Sequence, residues 1–141
     1  AGGYIEPTYS DTIDFITISS TGNAIDFGNL SSIRMYMGSS SNSTRGVMGG
    51  GNSASRTNTI EFVTIATTGD ATNFGDLTSA RTDLAGASSP TRAVFVGGDT
   101  PTLVNTIDYV EILTTGNAVD FGDQTVKRDR VSGCSNGHGG L

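Results

Sequence analysis

The amino-acid sequence repeats itself at a spacing of 47 residues, and its 141 residues contain three such units that align without a gap. Eleven of the 47 columns are identical in all three units. A fixed period of roughly 20 to 50 residues is typical of solenoids, propellers and other arrays, in which each unit buries its apolar faces against its neighbours. We therefore predict one repeat domain, residues 1–141, made of units 1–47, 48–94 and 95–141.

The residues within one unit indicate four strands. Short apolar or small-residue runs cover 59–66, 71–77, 84–89 and 91–98, and most of them end at glycine or polar turn residues. Good helix formers are scarce, with one Lys and three Glu, whereas the chain has 20 Thr and 20 Gly. The predicted fold class is all-β, with three tandem four-stranded repeats.

The run at 59–66 is apolar on both faces of the predicted strand. Ile60 and Phe62 point to one side, and Val63 and Ile65 point to the other, because side chains alternate along a strand. Such a strand has to be covered on both sides. Sheets packed face to face around a ring supply that cover, whereas a single sandwich would expose one face, so the pattern favours sheets stacked in a ring.

Three identical columns mark residues with a structural role in the repeat, and we predict that role for Phe27, Phe74, Phe121, Gly22, Gly69, Gly116, Arg34, Arg81 and Arg128. The arginines admit two interpretations. Each guanidinium pairs with an Asp of the same or the adjacent unit, or the three form contacts to a ligand such as an acidic sugar. Their repetition favours the structural interpretation.

A glycine pair that ends a strand, the segment Asn105-Thr-Ile-Asp-Tyr109, the aromatic Phe121 and the later Arg128 together resemble the kelch repeat of β-propellers. Kelch units usually carry a tryptophan where this chain has phenylalanine. The segments 105–110 and 115–123, with the ending 134–141, resemble repeat proteins of marine bacteriophages, which are tail-fibre or other virion proteins. The resemblance implies a half or other part of a β-propeller and a place in the virion, on a phage tail or capsid surface.

The two ends of the chain predict association. Propellers close with about four to eight blades, so three units leave two open ends. The first residues fall in the columns of 48–50 and the last in those of 45–47, so termini of two chains would form two halves of one strand. We predict this inter-chain strand closure for Ala1, Gly2, Gly3, Gly139, Gly140 and Leu141. The expected state is a homo-oligomer that completes a ring, most simply two chains with six blades; the alternative is a fragment of a longer tail protein.

Groups suited to catalysis are few, and we predict that the protein is not an enzyme and has no cofactor. Cys134 and His138 would need further ligands to hold a metal, or a third group to act as a nucleophile and base. The acidic and amide residues that flank Phe-Gly in each unit are suited to hold Ca²⁺, and they are Asp26, Asn29, Asn73, Asp76, Asp120 and Asp123. Bonds from such side chains to the local backbone at strand ends are the favoured interpretation.

The net charge of −6, with dispersed arginines, excludes nucleic acid as a partner, and no apolar stretch is long enough to enter a membrane as a helix. We expect a structural and adhesion protein of a phage virion, a tail-fibre or tail-tip component that contacts other virion proteins and a host surface glycan. One alternative is a capsid-surface decoration protein. Another is a propeller lectin or carbohydrate-active enzyme, although the acids outside the repeat pattern offer no evident catalytic pair.

Overall fold

The structure is a computed structural model that describes residues 1–135, and all of its regular elements in that range are β-strands. The strands are β1 (Gly3–Ile5), β2 (Thr8–Ser10), β3 (Thr12–Phe15), β4 (Ile25–Asn29), β5 (Gly38–Ser41), β6 (Arg45–Gly49), β7 (Thr59–Thr64), β8 (Thr72–Asp76), β9 (Ala85–Ser88), β10 (Arg92–Val96), β11 (Thr106–Glu111) and β12 (Val119–Asp123). The all-β prediction is confirmed, and each strand predicted for the middle unit is present.

The strands form two four-stranded antiparallel sheets and two hairpins. The first sheet has the order β5-β6-β7-β8, and the second has the order β9-β10-β11-β12. The hairpin β3-β4 corresponds to the last two strands of such a sheet, and β1-β2 forms a separate hairpin before it. Each four-stranded sheet crosses a boundary of the 47-residue units, because a period fixes the length of a repeat but not where its sheet begins.

The two four-stranded sheets stack face to face through residues without a Cβ atom. A Cβ built on Gly86 would lie 2.1 Å from the carbonyl oxygen of Ser39, so β9 approaches the backbone of β5 more closely than any side chain allows. The ring of Phe95 packs over Gly38 and Gly49 of the preceding sheet and is fully buried. The main core lies between these sheets and contains Val47, Ile60, Phe74, Leu77, Leu84, Ala93, Phe95, Val110 and Ile112.

Backbone hydrogen bonds join the outer edges of consecutive sheets. The amide of Gly69 donates to the carbonyl of Phe27 at 2.7 Å, and the amide of Gly116 donates to the carbonyl of Phe74 at 2.8 Å. At the second contact, a Cβ on Gly75 would lie 2.2 Å from the oxygen of Gly116, and the φ of Gly75 is 152°. The repeated glycines therefore lie where one sheet edge touches the next.

The first unit departs from the gap-free alignment. The amide of Gly2 donates to the carbonyl of Thr12, as the amide of Gly50 donates to that of Thr59, so the first unit is one residue longer in this segment. The extra residue lies in the segment that forms β1-β2, where the other units have isolated bridges. Gly2 lies before β1 with a φ of 62°, and Gly3 is the first residue of that strand. Gly139, Gly140 and Leu141, the other half of the predicted strand closure, lie outside the described residues.

Candidate assembly interface

Arg81 follows β8 in the chain and reaches into the next sheet, where its side chain is fully buried. Its guanidinium donates to Asp108 Oδ2 on β11 at 2.6 Å. The same guanidinium donates to the carbonyls of Thr106 at 2.9 Å, Gly97 at 3.0 Å and Phe95 at 3.4 Å. One arginine therefore binds a carboxylate and three backbone carbonyls of the sheet that follows it.

Arg34 makes the same link one unit earlier. It follows β4, and its guanidinium binds the carboxylate of Glu61 on β7. It also donates to the carbonyls of Thr59 at 3.3 Å and Gly50 at 3.4 Å. Both side chains of this pair are almost fully buried. Both arginines therefore lie between consecutive sheets. The link itself indicates neither a bound ligand nor a bound ion.

The carboxylates bind back to the segment that carries the arginine. Glu61 Oε1 accepts the backbone N–H of Ser31 at 3.0 Å, and Asp108 accepts both the N–H and the hydroxyl of Thr78 at 3.1 and 2.7 Å. Buried charges are tolerated where such partners satisfy their oxygens and nitrogens. The acidic residue and the arginine therefore form a two-way contact between two sheets.

A β-bulge positions each acidic residue. The register between β7 and β8 shifts between Ile60 and Glu61, which leaves Phe74 without a direct partner, and the equivalent shift lies between Ile107 and Asp108. A bulge re-aims the side chains next to it. Its recurrence beside the acidic residue in each unit explains how the same carboxylate position is kept.

Burial changes the electrostatics of both arginines. Loss of hydration lowers the pKa of Arg34 and of Arg81, and for Arg81 the charge and hydrogen bond of Asp108 oppose that lowering. Within residues 1–135 the Nε atoms of both arginines have no hydrogen-bond partner. The carboxylate and carbonyl acceptors on the terminal nitrogens therefore have to offset most of the cost of burying the charge.

Aromatic rings flank the link on the outer strands. Phe74 is 2% exposed and packs edge-on against Phe62, with ring centroids 5.9 Å apart. The guanidinium of Arg45 lies 4.2 Å above the Phe62 ring and donates to the carbonyl of Ile112 in the next sheet at 3.0 Å. Arg45 thus joins the Phe62 ring to the sheet that follows it.

The last sheet presents the equivalent phenylalanine and arginine on a face that no described sheet covers. We call it the arginine face and define it by Phe121, Gln124 and Arg128. Arg128 is exposed and has no carboxylate partner among the residues that the structure describes. Phe121 is 56% exposed, in contrast to Phe74. A depression of about 440 Å³ lies beside Arg128 and is lined by Ala85, Val96 and Gln124, among others.

The hairpin β3-β4 presents the complementary groups, which we call the acidic face and define by Asp14, Ile16 and Ile18. Asp14 stands in the column of Glu61 and Asp108, but it is exposed, and no arginine in residues 1–135 binds it. Ile16 and Ile18 are 60% and 94% exposed. Each end of the stack of described sheets therefore carries one partner of the Arg–carboxylate link without the other.

The sequence indicated the arginines of this interface but not their carboxylate partners. The signal was present, because the column of Asp14, Glu61 and Asp108 is acidic in all three units. The column is not identical in all three units, because Glu61 stands where the other two units have Asp. Searching for columns that keep charge, as well as identity, would have found it.

Two of the acids that flank Phe-Gly bond to the local backbone. Asp26 accepts the N–H of Gly28 at 3.2 Å, and Asp120 accepts that of Gly122 at 3.0 Å. In the described part of the chain, no three His, Cys, Asp or Glu side chains are grouped so that they could hold a metal ion. Cys134 is exposed, and its predicted neighbour His138 lies outside the described residues. The structure has no helix in residues 1–135 that could cross a membrane.

No protein-family model matches the chain, and no curated protein is significantly similar to it.

Proposed function

We propose that this protein is a non-catalytic structural and adhesion component of a phage virion, located at the tail fibre or tail tip. Its three units are kelch-like repeats that form part of a β-propeller, and further copies complete the ring. It holds no cofactor, and its partners are other virion proteins and a host surface glycan.

The use of the buried charges carries this proposal. Four charged residues are buried in the described part of the chain, and they are Arg34, Glu61, Arg81 and Asp108. All four bind one another or the backbone across a junction between sheets. In an enzyme we would expect some buried charged group to face a substrate cavity. Here these groups hold sheets together, as a rigid framework requires.

The same geometric relation between each sheet and the next supports the propeller. Tyr36, Asp83 and Arg130 occupy one column, and all three have a positive φ, of 61°, 58° and 51°. The N–H of Asp83 donates to the carbonyl of Tyr36 at 3.0 Å, and the N–H of Arg130 donates to that of Asp83 at 2.8 Å. Units related by a constant step form a ring or a superhelix, and twisted four-stranded sheets that pack face to face favour the ring.

The hairpin β1-β2 supplies the surface for adhesion. Tyr4 and Ile5 are 61% and 58% exposed, and the ring of Tyr4 lies 5.8 Å from that of Tyr9. Exposed aromatic rings contact the apolar faces of sugars and the anchor pockets of protein partners. This hairpin is also where the first unit differs from the other two, as a specialised contact would.

Gold-labelled antibodies against the protein, applied to purified virions in the electron microscope, test the location. Label at the tail tip or fibre supports the proposal, and label over the capsid favours the decoration protein. Virions that carry neither label nor peptides of this chain by mass spectrometry would contradict a virion role.

Binding of the purified protein to host cells tests adhesion. We expect Tyr4→Ser to reduce binding, whereas Leu113→Ser, which removes a similarly exposed side chain elsewhere, leaves it unchanged. Equal binding by both variants would contradict the assignment of the hairpin as the contact surface.

A further inference from the structure

We propose that the arginine face of one copy docks on the acidic face of a second copy, where Arg128 of the first forms a buried ion pair with Asp14 of the second. This inference rests on the homo-oligomer in the proposed function, and it identifies the contact that closes it. The occupant of each face is another molecule of the same chain.

The repeat itself supplies the template for this contact. Arg128 stands in the column of Arg34 and Arg81, and Asp14 stands in the column of their partners. Arg34 pairs with Glu61, and Arg81 pairs with Asp108. Among the described residues, Arg128 and Asp14 have no such partner, and they lie on opposite sides of the stack. The two charges have opposite sign and stand in the same columns of the repeat as the pairs that the chain already forms, so the two faces are complementary.

The groups around Arg128 and Asp14 match in the same way. In the internal links, the residue three positions before the arginine donates its N–H to the carboxylate, as Thr78 does to Asp108. Thr125 holds that position before Arg128 and is exposed, so its N–H can donate to Asp14 of the second copy. A head-to-tail contact therefore reproduces both directions of the link.

The outer edges offer a second set of partners. Gly69 and Gly116 donate their N–H groups to the carbonyls of Phe27 and Phe74. By the same pattern, the N–H of Gly22 in the second copy would donate to the carbonyl of Phe121 in the first. At Gly122 a Cβ would meet no atom of residues 1–135 within 4 Å, so none of them fills the space that Gly116 fills beside Gly75.

Apolar surface favours the same docking. Phe121 is 56% exposed, whereas Phe27 and Phe74 are at most 9% exposed because a following sheet covers them. Ile16 and Ile18 on the acidic face are more than half exposed. Joining the two faces covers both sets, and burial of apolar area drives association. Since each copy has both faces, two copies form a closed ring in which each contact is made twice, if the rotation between copies allows closure.

Exchange of the two charges tests the pairing. Arg128→Asp and Asp14→Arg each place like charges at both contacts of a homodimer, and we expect each to weaken association by at least about 100-fold, as judged by sedimentation velocity over a range of concentrations. Lys127→Asp is the matched control, because it makes the same change of charge at the adjacent, exposed position and should assemble as the parent protein does.

The decisive sample is an equimolar mixture of Arg128→Asp and Asp14→Arg. In a mixed dimer each contact again joins one aspartate to one arginine, so we expect the mixture to recover the two-chain mass that neither variant shows alone. The double variant, with the pair reversed within one chain, should recover it as well. Circular dichroism of each single variant shows whether it is folded.

Three results would overturn this inference: a parent protein of one-chain mass at all concentrations, single variants that assemble like the parent, or a mixture and a double variant that both remain single chains. None of them bears on the gold-label experiment. A virion component that does not pair with itself would still carry label, so failure of this contact and failure of the virion role are distinguishable.

Discussion

Replacement of Arg81 by leucine removes the best-satisfied link between two sheets. The substitution leaves the carboxylate of Asp108 buried without its cation, and it leaves the carbonyls of Gly97, Thr106 and Phe95 without their donor. Removing one partner of a buried ion pair costs about 3–5 kcal/mol. Thr78 still donates two hydrogen bonds to Asp108, so we expect a loss within this range and no larger.

A loss of about 3–5 kcal/mol is a large fraction of the stability of a typical domain, for which unfolding requires roughly 5–15 kcal/mol. Urea unfolding followed by circular dichroism, at one fixed protein concentration, measures it. Arg92→Leu is the matched control, because Arg92 also pairs with an acidic residue, Glu111, but both side chains are about half exposed. We expect a much smaller change for this control, since exposed pairs are solvated and screened by salt.

A double-mutant cycle separates the pair from the rest of the site. If the link acts as described, Arg81→Leu and Asp108→Leu are strongly non-additive, and the double variant is more stable than the sum of the two losses predicts. A loss below about 1 kcal/mol for Arg81→Leu, or an equal loss for Arg92→Leu, would refute the reasoning.

Three further predictions concern packing and ions. Gly86→Ala should cost about 1–3 kcal/mol, because its Cβ would meet the backbone of Ser39, whereas Gly46→Ala, where the nearest atom is a side-chain methyl at 3.4 Å, should be close to neutral by the same urea assay. Phe74→Ala should cost about 3–5 kcal/mol, and Phe121→Ala should cost much less under conditions that keep single chains apart; equal losses would mean that Phe121 is covered within one chain. Addition of Ca²⁺ or a chelator should leave the thermal midpoint unchanged, since Asp26 and Asp120 beside Phe-Gly accept backbone N–H groups, and a clear upward shift with Ca²⁺ would contradict that interpretation.

Local signals in the sequence predicted the strands, since apolar runs ended by glycine pairs and Thr-Thr-Gly turns fix where strands stop. Strands apolar on both faces also predicted stacked sheets, and the structure shows why this holds unequally. Val110 on β11 and Ile112 just after it are buried, whereas Ile16 and Ile18 follow β3 on a face that no described sheet covers. The apolar pattern indicates which faces of a strand are suited to be covered by another sheet. It does not indicate whether that sheet belongs to the same chain.

The sequence could not predict the phase of the repeat or the partner of each arginine. A period is the same wherever counting begins, so the units 1–47, 48–94 and 95–141 cut across sheets whose edges depend on hydrogen bonding. The ion pairs join residues far apart in the chain, Arg34 with Glu61 and Arg81 with Asp108, and only the folded arrangement brings them together. The extra residue before Thr12 was hidden because adjacent glycines align equally well in either register.

A crystal structure of the assembled protein tests the central claim most directly, namely that one Arg–carboxylate link joins successive sheets both within and between copies. The account predicts a particle of twice the 14.5 kDa chain mass, with the guanidinium of Arg128 and the carboxylate of Asp14 from the second copy within about 4 Å and shielded from solvent. A single-chain particle with both side chains in solvent, or an assembly joined through other faces, would contradict it.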